Sequence, residues 1–275
     1  MKALFEILPR SVDAAKCILV CEISNENFSY AIKNEEQNLY VAVAVFQFEK
    51  GTDIKDYGNI LQDVIQTQSL LSGNFKKVCI MYSFAESVLI PFALYSSLEN
   101  ENVLNLVHGD LQNNTSVLTD LVTESGVYNA YRVSAPILNV IKSNFPDAAN
   151  IHQYSVLLKQ PRSKEDRLNI IFYPQRIVLK LNKKGRTEFI NSFCYNIAED
   201  VSYILLNTCK QFGVENIPVE VSGLIEKDSA LHKEIYKYFE TIDFASLPAE
   251  RNYAEGITQQ PSHYFSNIFA IDSCE

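Results

Sequence analysis

One pattern runs through this chain twice: three strand-like runs, a helical pattern and a further strand, in that order, with almost no residues shared between the copies. The first copy reads CILVCEIS (17–24), NFSYAIKN (27–34) and LYVAVAVFQFE (39–49), then a helix and KVCIMYS (77–83). The second reads LNIIFY (168–173), RIVLKLN (176–182) and TEFINSFCYN (187–196), then a helix and PVEVSG (218–223). Runs rich in β-branched and aromatic residues, bounded by polar clusters, are the strand signal. The registers agree, with Phe28 matching Ile177 and Tyr40 matching Phe189 at one separation, and Val78 matching Val219 after a shorter helical connection. A repeated βββαβα unit predicts two α/β halves around a cleft, which is where such an architecture binds a ligand.

The helices carry the same logic. The first is expected over 53–72, with Ile54, Tyr57, Leu61, Val64, Gln68 and Leu71 at spacings of three and four, capped by Thr52 or Asp53 and ended by Gly73. Its counterpart over 199–212 places Val201, Leu205, Thr208 and Phe212 on one face and stops at Gly213. Between the copies lies an insertion (91–160) with a short helix, the strand-like runs SVLTDLV and VYNAYRVS, a helix from Ala135 to Phe145 and a final run, NIHQYSVLLK. The stretch QPRSKEDR (160–167) has no large apolar residue and reads as the linker, giving domains over 1–160 and 161–275. After a helix over 230–245, a polar and mobile loop (246–263) is expected before a last packed element, YFSNIFAI.

Composition removes several function classes. With 275 residues, 47% hydrophobic and 21% charged, the chain reads as a soluble globular protein. CILVCEI is interrupted by Glu22 and the early ALFEIL by Glu6, so neither a spanning helix nor a signal core is expected, and a cytoplasmic location follows as an expectation. Nine glycines, none closer than Gly51 and Gly58, exclude both the GxGxxG fingerprint and the GxxxxGK phosphate loop. A net charge of −9 disfavours a nucleic-acid binder. The densest basic stretch, Lys180, Lys183, Lys184 and Arg186, falls on a hairpin turn around Gly185. Six scattered cysteines, including Cys274, show no metal-ligand spacing. Cys17 and Cys21, about 13 Å apart on a strand, are too distant for a disulfide.

The strings LFEILP, CEISNENFSYAIKNEEQNLYVAVAVFQF, INSFCYNIAEDVSYILLNTCKQFG and FSNIFAIDSCE span nearly the whole chain. Together they resemble a Bacteroidetes family catalogued as a domain of unknown function. The resemblance implies an actin-like ATPase fold, a duplicated ribonuclease-H-like α/β architecture, which matches the repeat above; it implies no reaction and no catalytic residue. More distantly the arrangement is similar to actin-fold assembly proteins of bacterial cell division and pilus machines, some of which act as platforms. Fold does not fix function.

Actin-like ATPases hold phosphates between two hairpin turns, each with a D-x-G pattern whose glycine lets backbone amides approach the anion. The corresponding turns here are Glu22 to Asn27 and Tyr173 to Arg176, neither with a glycine, and Pro174 lacks an amide donor. The family's paired glycines at the adenosine-binding strand reduce to Gly223 in VSGL. The expectation is a protein-binding or self-associating scaffold with degenerate phosphate loops, no cofactor, no catalytic residue and no metal. The alternative is a divergent switch binding ATP with Mg through Ser24, Asn25, Asn27, Gln175, Arg176, Ser222 and Gly223. A third reading, two-metal nuclease chemistry, would need Glu22, Asp63 and Glu86 to converge. His108, His152, His232 and His263 stand apart from any nucleophile motif, His108-Gly109-Asp110 reads as a helix end, and Asn113-Asn114-Thr115 as a turn.

Overall fold

The computed structural model describes residues 1–53, 55–110, 114–160 and 165–271. Ile54, Asn113, Cys274 and linker residues 161–164 lie outside the described residues. The elements run β1 (Lys2–Ile7), β2 (Cys17–Ile23), β3 (Asn27–Asn34), β4 (Leu39–Gln47), α1 (Tyr57–Thr67), β5 (Lys77–Tyr82), β6 (Ser87–Pro91), α2 (Asn100–His108), β7 (Thr115–Val122), β8 (Val127–Ser134), α3 (Ala135–Asn144), β9 (Ala149–His152) and α4 (Gln153–Lys159). They continue with β10 (Arg167–Phe172), β11 (Arg176–Lys183), β12 (Arg186–Cys194), α5 (Ala198–Phe212), β13 (Val219–Gly223), α6 (Ala230–Tyr236), β14 (Ile242–Phe244), β15 (Asn252–Tyr253), α7 (Glu255–Thr258) and α8 (Ser266–Phe269). Two compact units result: residues 1–160 with 250–259 and 270–275, and residues 161–249 with 260–269.

The first unit is built on a sheet of order β1-β4-β3-β2-β5-β9. All seven residues of β2 are buried, because this strand pairs antiparallel with β3 and parallel with β5 and is covered on both faces. Its core gathers Leu19, Phe28, Tyr30 and Phe46 under Leu61 and Ile65 of α1 and Ile137 of α3. The insertion begins earlier than the expected residue 91, since β6 from Ser87 belongs to its separate antiparallel sheet, β6-β8-β7; it returns through α3 to β9, which joins the main sheet beside β5.

The second unit has the sheet β12-β11-β10-β13-β14, with Leu168, Phe172, Leu179 and Val221 packed against Val201 and Leu205 of α5. Strand pairing makes the duplication explicit. Ile23 opposes Phe28 and Leu19 opposes Val78 in the first unit; Phe172 opposes Ile177 and Leu168 opposes Val219 in the second. Even a register irregularity is repeated, between Ile32 and Lys33 and between Leu181 and Asn182.

The pairing also corrects one match. Lys33 faces Tyr40 while its counterpart Asn182 faces Thr187, so Tyr40 corresponds to Thr187, and Phe189 to Ala42. The β11–β12 turn is the tight Lys184-Gly185 pair, both with positive φ, whereas β3–β4 closes over a longer turn. The shift is by two residues, so every side chain keeps its face.

Helix boundaries differ from expectation in three places. The helix expected over 230–245 stops at Tyr236, and Ile242–Phe244 instead pair parallel with β13 as β14. The other two concern α1 and the glycines that follow helices. α1 begins at Tyr57, while Thr52 and Asp53 cap a preceding turn, Thr52 Oγ1 donating to Glu49 O and Lys55 N to Asp53 Oδ1. α5 does end at Gly213 in the left-handed conformation (φ 58°), but Gly73 is extended, and a Cβ there would lie 2.5 Å from Ala14 Cβ. Gly73 is kept for close packing, not as a helix stop. Within the expected C-terminal loop, β15 pairs parallel with Leu39 and Tyr40 on the β4 edge that β1 leaves open, and Tyr253 stacks on Tyr40 at 5.6 Å.

Candidate functional site

The two hairpin turns have the same length and the same closing bond: Ser24 N donates to Asn27 O at 2.9 Å, and Tyr173 N to Arg176 O at 2.8 Å. What fills them differs. In the first turn Ser24, 1% exposed, accepts the amides of Glu26 and Asn27 on its Oγ, both at 3.0 Å, and donates to Asn27 Oδ1 at 2.7 Å. Asn27 Nδ2 then donates to Ser29 Oγ at 3.2 Å. This is a serine turn in which the side chain bonds the amides just ahead of it. Those two amides are the donors that a bound phosphate at this turn would need, and they are already occupied. Asn25 is exposed, and Glu22, 4% exposed, lies two residues before Ser24.

In the second turn Tyr173 takes the place of Ser24 and Arg176 that of Asn27. The guanidinium sits 4.2 Å from the centre of the Tyr173 ring and donates to Ser192 Oγ at 3.3 Å, with Arg176 only 6% exposed. Tyr173 is held at both ends, its carbonyl accepting from Tyr195 Oη at 2.9 Å and its hydroxyl from Asn267 Nδ2 at 2.9 Å. Tyr195 N donates to Gln175 O at 3.0 Å. The Arg176 guanidinium keeps its charge in this stack, but Tyr173 and Ser192 fix its position.

Ser222 and Gly223 close β13 beside this turn, in register with Ile171 and Phe172. Ser222 Oγ donates to Ile170 O at 3.3 Å. Gly223 has φ +78°, and a Cβ on it would stand 2.2 Å from Phe172 O. The glycine is therefore required by the neighbouring strand, whatever else approaches it. A cavity of about 580 Å³ in this unit lies elsewhere, over Cys209, Val214, Ile217 and Phe239 after the ends of α5 and α6, and none of the seven candidate residues lines it.

Glu22, Asp63 and Glu86 do not assemble. Among the described residues no group of three His, Cys, Asp or Glu side chains could hold a metal ion. Asp63 is exposed on α1, and Glu86 pairs with Arg132 at 2.9 Å. The histidines have local structural contacts: His152 Nδ1 accepts Tyr154 N at 3.1 Å while Nε2 donates to Phe84 O at 2.9 Å, His263 Nε2 donates to Ile225 O at 2.7 Å, His108 lies 3.3 Å from Ser87 O, and His232 stacks on Phe244. Burial pushes the thiols of Cys17, Cys21 and Cys209 up, as suits inert core cysteines.

Sequence reading missed a polar network in the first unit. Ser87 donates to Asn129 Oδ1 at 2.5 Å, Asn129 Nδ2 to Ser155 Oγ at 3.0 Å, and Ser83 to Gln153 Oε1 at 2.5 Å. Asp120 accepts Tyr131 Oη and His152 N, and its burial nevertheless raises its carboxyl above the usual range. These groups join β6, β7 and β8 to β9 and α4, a structural seam no local pattern announces.

The family described as a protein of unknown function (DUF3822) matches residues 10–242. A search of curated proteins finds no match. Among solved structures, the chain is similar to a Bacteroides thetaiotaomicron protein with an actin-like ATPase fold and unknown function, at 17% identity and TM-score 0.79, covering 98% of this chain and 100% of that one. It is also similar to the PilM-PilN type IV pilus biogenesis complex (10% identity, TM-score 0.56, 97% and 100% covered). The ethanolamine utilization protein EutJ from Carboxydothermus hydrogenoformans follows at 9% identity and TM-score 0.52, with 98% and 93% covered. The duplicated sheets, the paired hairpin turns and these matches lead to one statement: the chain belongs to the DUF3822 family of unknown function and has an actin-like ATPase fold.

Proposed function

We propose that this protein works by binding another protein and does not hydrolyse ATP. The observation that carries the reading is the Ser24 turn, whose hydroxyl takes the Glu26 and Asn27 amides in place of an anion. For a phosphate to use those donors it would have to displace a serine hydroxyl that is buried and bonded three ways, with the carboxylate of Glu22 close by in sequence. The second turn supports the same reading, because Pro174 offers no amide and Arg176 is committed to Tyr173 and Ser192. Gly223 is explained by Phe172 alone. One fold neighbour comes from a protein–protein assembly, the PilM-PilN type IV pilus biogenesis complex, an analogy of fold only.

The test is titration calorimetry with ATP and magnesium, alongside a phosphate-release assay. Absence of both heat and turnover supports the proposal. Micromolar binding accompanied by hydrolysis removes it.

A further inference from the structure

The insertion carries a surface unlike the rest of the chain. Between Ser83 and Ser134 the sequence has six acidic residues, Glu86, Glu99, Glu101, Asp110, Asp120 and Glu124, and a single basic one, Arg132. Arg132 is not on the surface. Its side chain is 3% exposed, and its guanidinium bonds Glu86, Asn105 and Gly109 O.

The same segment exposes large apolar side chains: Leu94 is 75% exposed, Leu98 88%, Leu106 86% and Val107 57%. They flank or lie on α2, whose buried side is held by Leu104 and by Asn100 donating to Tyr95 Oη and Thr119 Oγ1. Exposed leucines and carboxylates follow one another along this segment: Glu99 and Glu101 come after Leu98, and Asp110 after Leu106 and Val107. All three acids are exposed, and none makes an ion pair among the described residues. Glu101 also suits the helix dipole at the start of α2, but no local need explains two leucines nearly nine-tenths in water.

We propose that α2 and the segment before it, residues 92–110, form a docking surface for a basic amphipathic segment of a partner protein. Apolar anchors on such a segment would cover Leu98, Leu106 and Val107, and its Lys and Arg side chains would meet Glu99, Glu101 and Asp110, a charge pattern that also repels anionic membranes. The proposal deepens the protein-binding reading by naming the kind of partner.

The test uses a leucine–lysine peptide patterned as an amphipathic helix, titrated into the full chain, with a shuffled peptide of equal composition as control. Binding is expected for the patterned peptide only, weakened by added salt, with hydrogen-exchange protection over 92–110. The double variants Leu98→Ser with Leu106→Ser, and Glu101→Gln with Asp110→Asn, should each weaken binding by roughly tenfold or more, with unchanged melting points. Failure of the peptide to bind, equal binding by the shuffled peptide, or variants without effect overturns the proposal. So does loss of self-association in the leucine variant, which would make a second copy the occupant, or loss of binding to anionic vesicles. Because neither readout involves nucleotide, failure here leaves the ATP titration free to decide the proposed function by itself.

Discussion

Ser24 and Asn27 bond each other three times across the first hairpin turn: main chain to main chain at 2.9 Å, hydroxyl to Oδ1 at 2.7 Å, and Asn27 N to the same hydroxyl at 3.0 Å. The same hydroxyl accepts two amides, so Ser24→Ala strands one buried donor, Asn27 N, and one part-buried donor, Glu26 N. We expect a loss of about 2 kcal/mol in urea unfolding. Nucleotide affinity should stay absent, because the alanine supplies no glycine-like approach. A neutral Ser24→Ala would mean that the turn does not depend on this hydroxyl.

Gly223 and Gly213 both have positive φ, but only the first is crowded. Gly223→Ala drives a methyl into Phe172 O and should cost more than about 4 kcal/mol or prevent folding. Gly213→Ala meets open space and should cost about 1–2 kcal/mol for the left-handed backbone alone. Equal melting-point shifts for the two variants would contradict the placement of β13 against β10.

Arg132 offers its fork to a carboxylate, an amide oxygen and a main-chain carbonyl at once. A lysine cannot reproduce that geometry. Arg132→Lys should destabilise the insertion by about 3 kcal/mol and speed amide exchange in α2 and β6 while leaving β10–β13 unchanged. Uniform acceleration over the whole chain would show that the insertion has no separate stability.

Acid should weaken the second unit in two stages. Burial holds the His263 imidazole below its usual range, opposed by its bond to Ile225 O, so the unfolded chain takes up the proton more readily. That contribution is complete above about pH 6.5 and fades as pH falls through the lower folded value. The carboxylate of Asp200 is held below its usual range by the amides of Asn196 and Ile197, so its contribution is present above about pH 3.9 and is lost at still lower pH. Urea midpoints measured from pH 7 downward should fall, and His263→Gln should flatten the first stage. Superimposable curves for the two proteins between about pH 7 and 5 would refute the first assignment.

The duplication was legible because buried strands such as β2 and β11 read as largely apolar runs, broken by Glu22 in the one and by Lys180 and Asn182 in the other, and two copies of one order leave few architectures. The Tyr40 counterpart was misplaced by two residues because turn length leaves no trace in a period-two pattern, which repeats at every second residue. Gly73 looked like a helix stop because its reason, Ala14, lies far away in sequence. β15 was hidden since a two-residue strand has no periodicity and is fixed by the Tyr253–Tyr40 stack. The missing glycines of the phosphate turns were visible at once, but the Ser24 bonds that fill the first turn were not, although serine followed three residues later by asparagine at a hairpin is the pattern that could have pointed to them.

The most direct measurement is calorimetric titration of the whole chain with ATP and magnesium, paired with Ser24→Gly, which frees the Glu26 and Asn27 amides. Neither the natural chain nor the variant should turn ATP over, and the natural chain should give no binding heat. Saturable micromolar heat from the natural chain, abolished by Arg176→Ala, would contradict the account by showing that the Tyr173 to Arg176 turn binds a triphosphate.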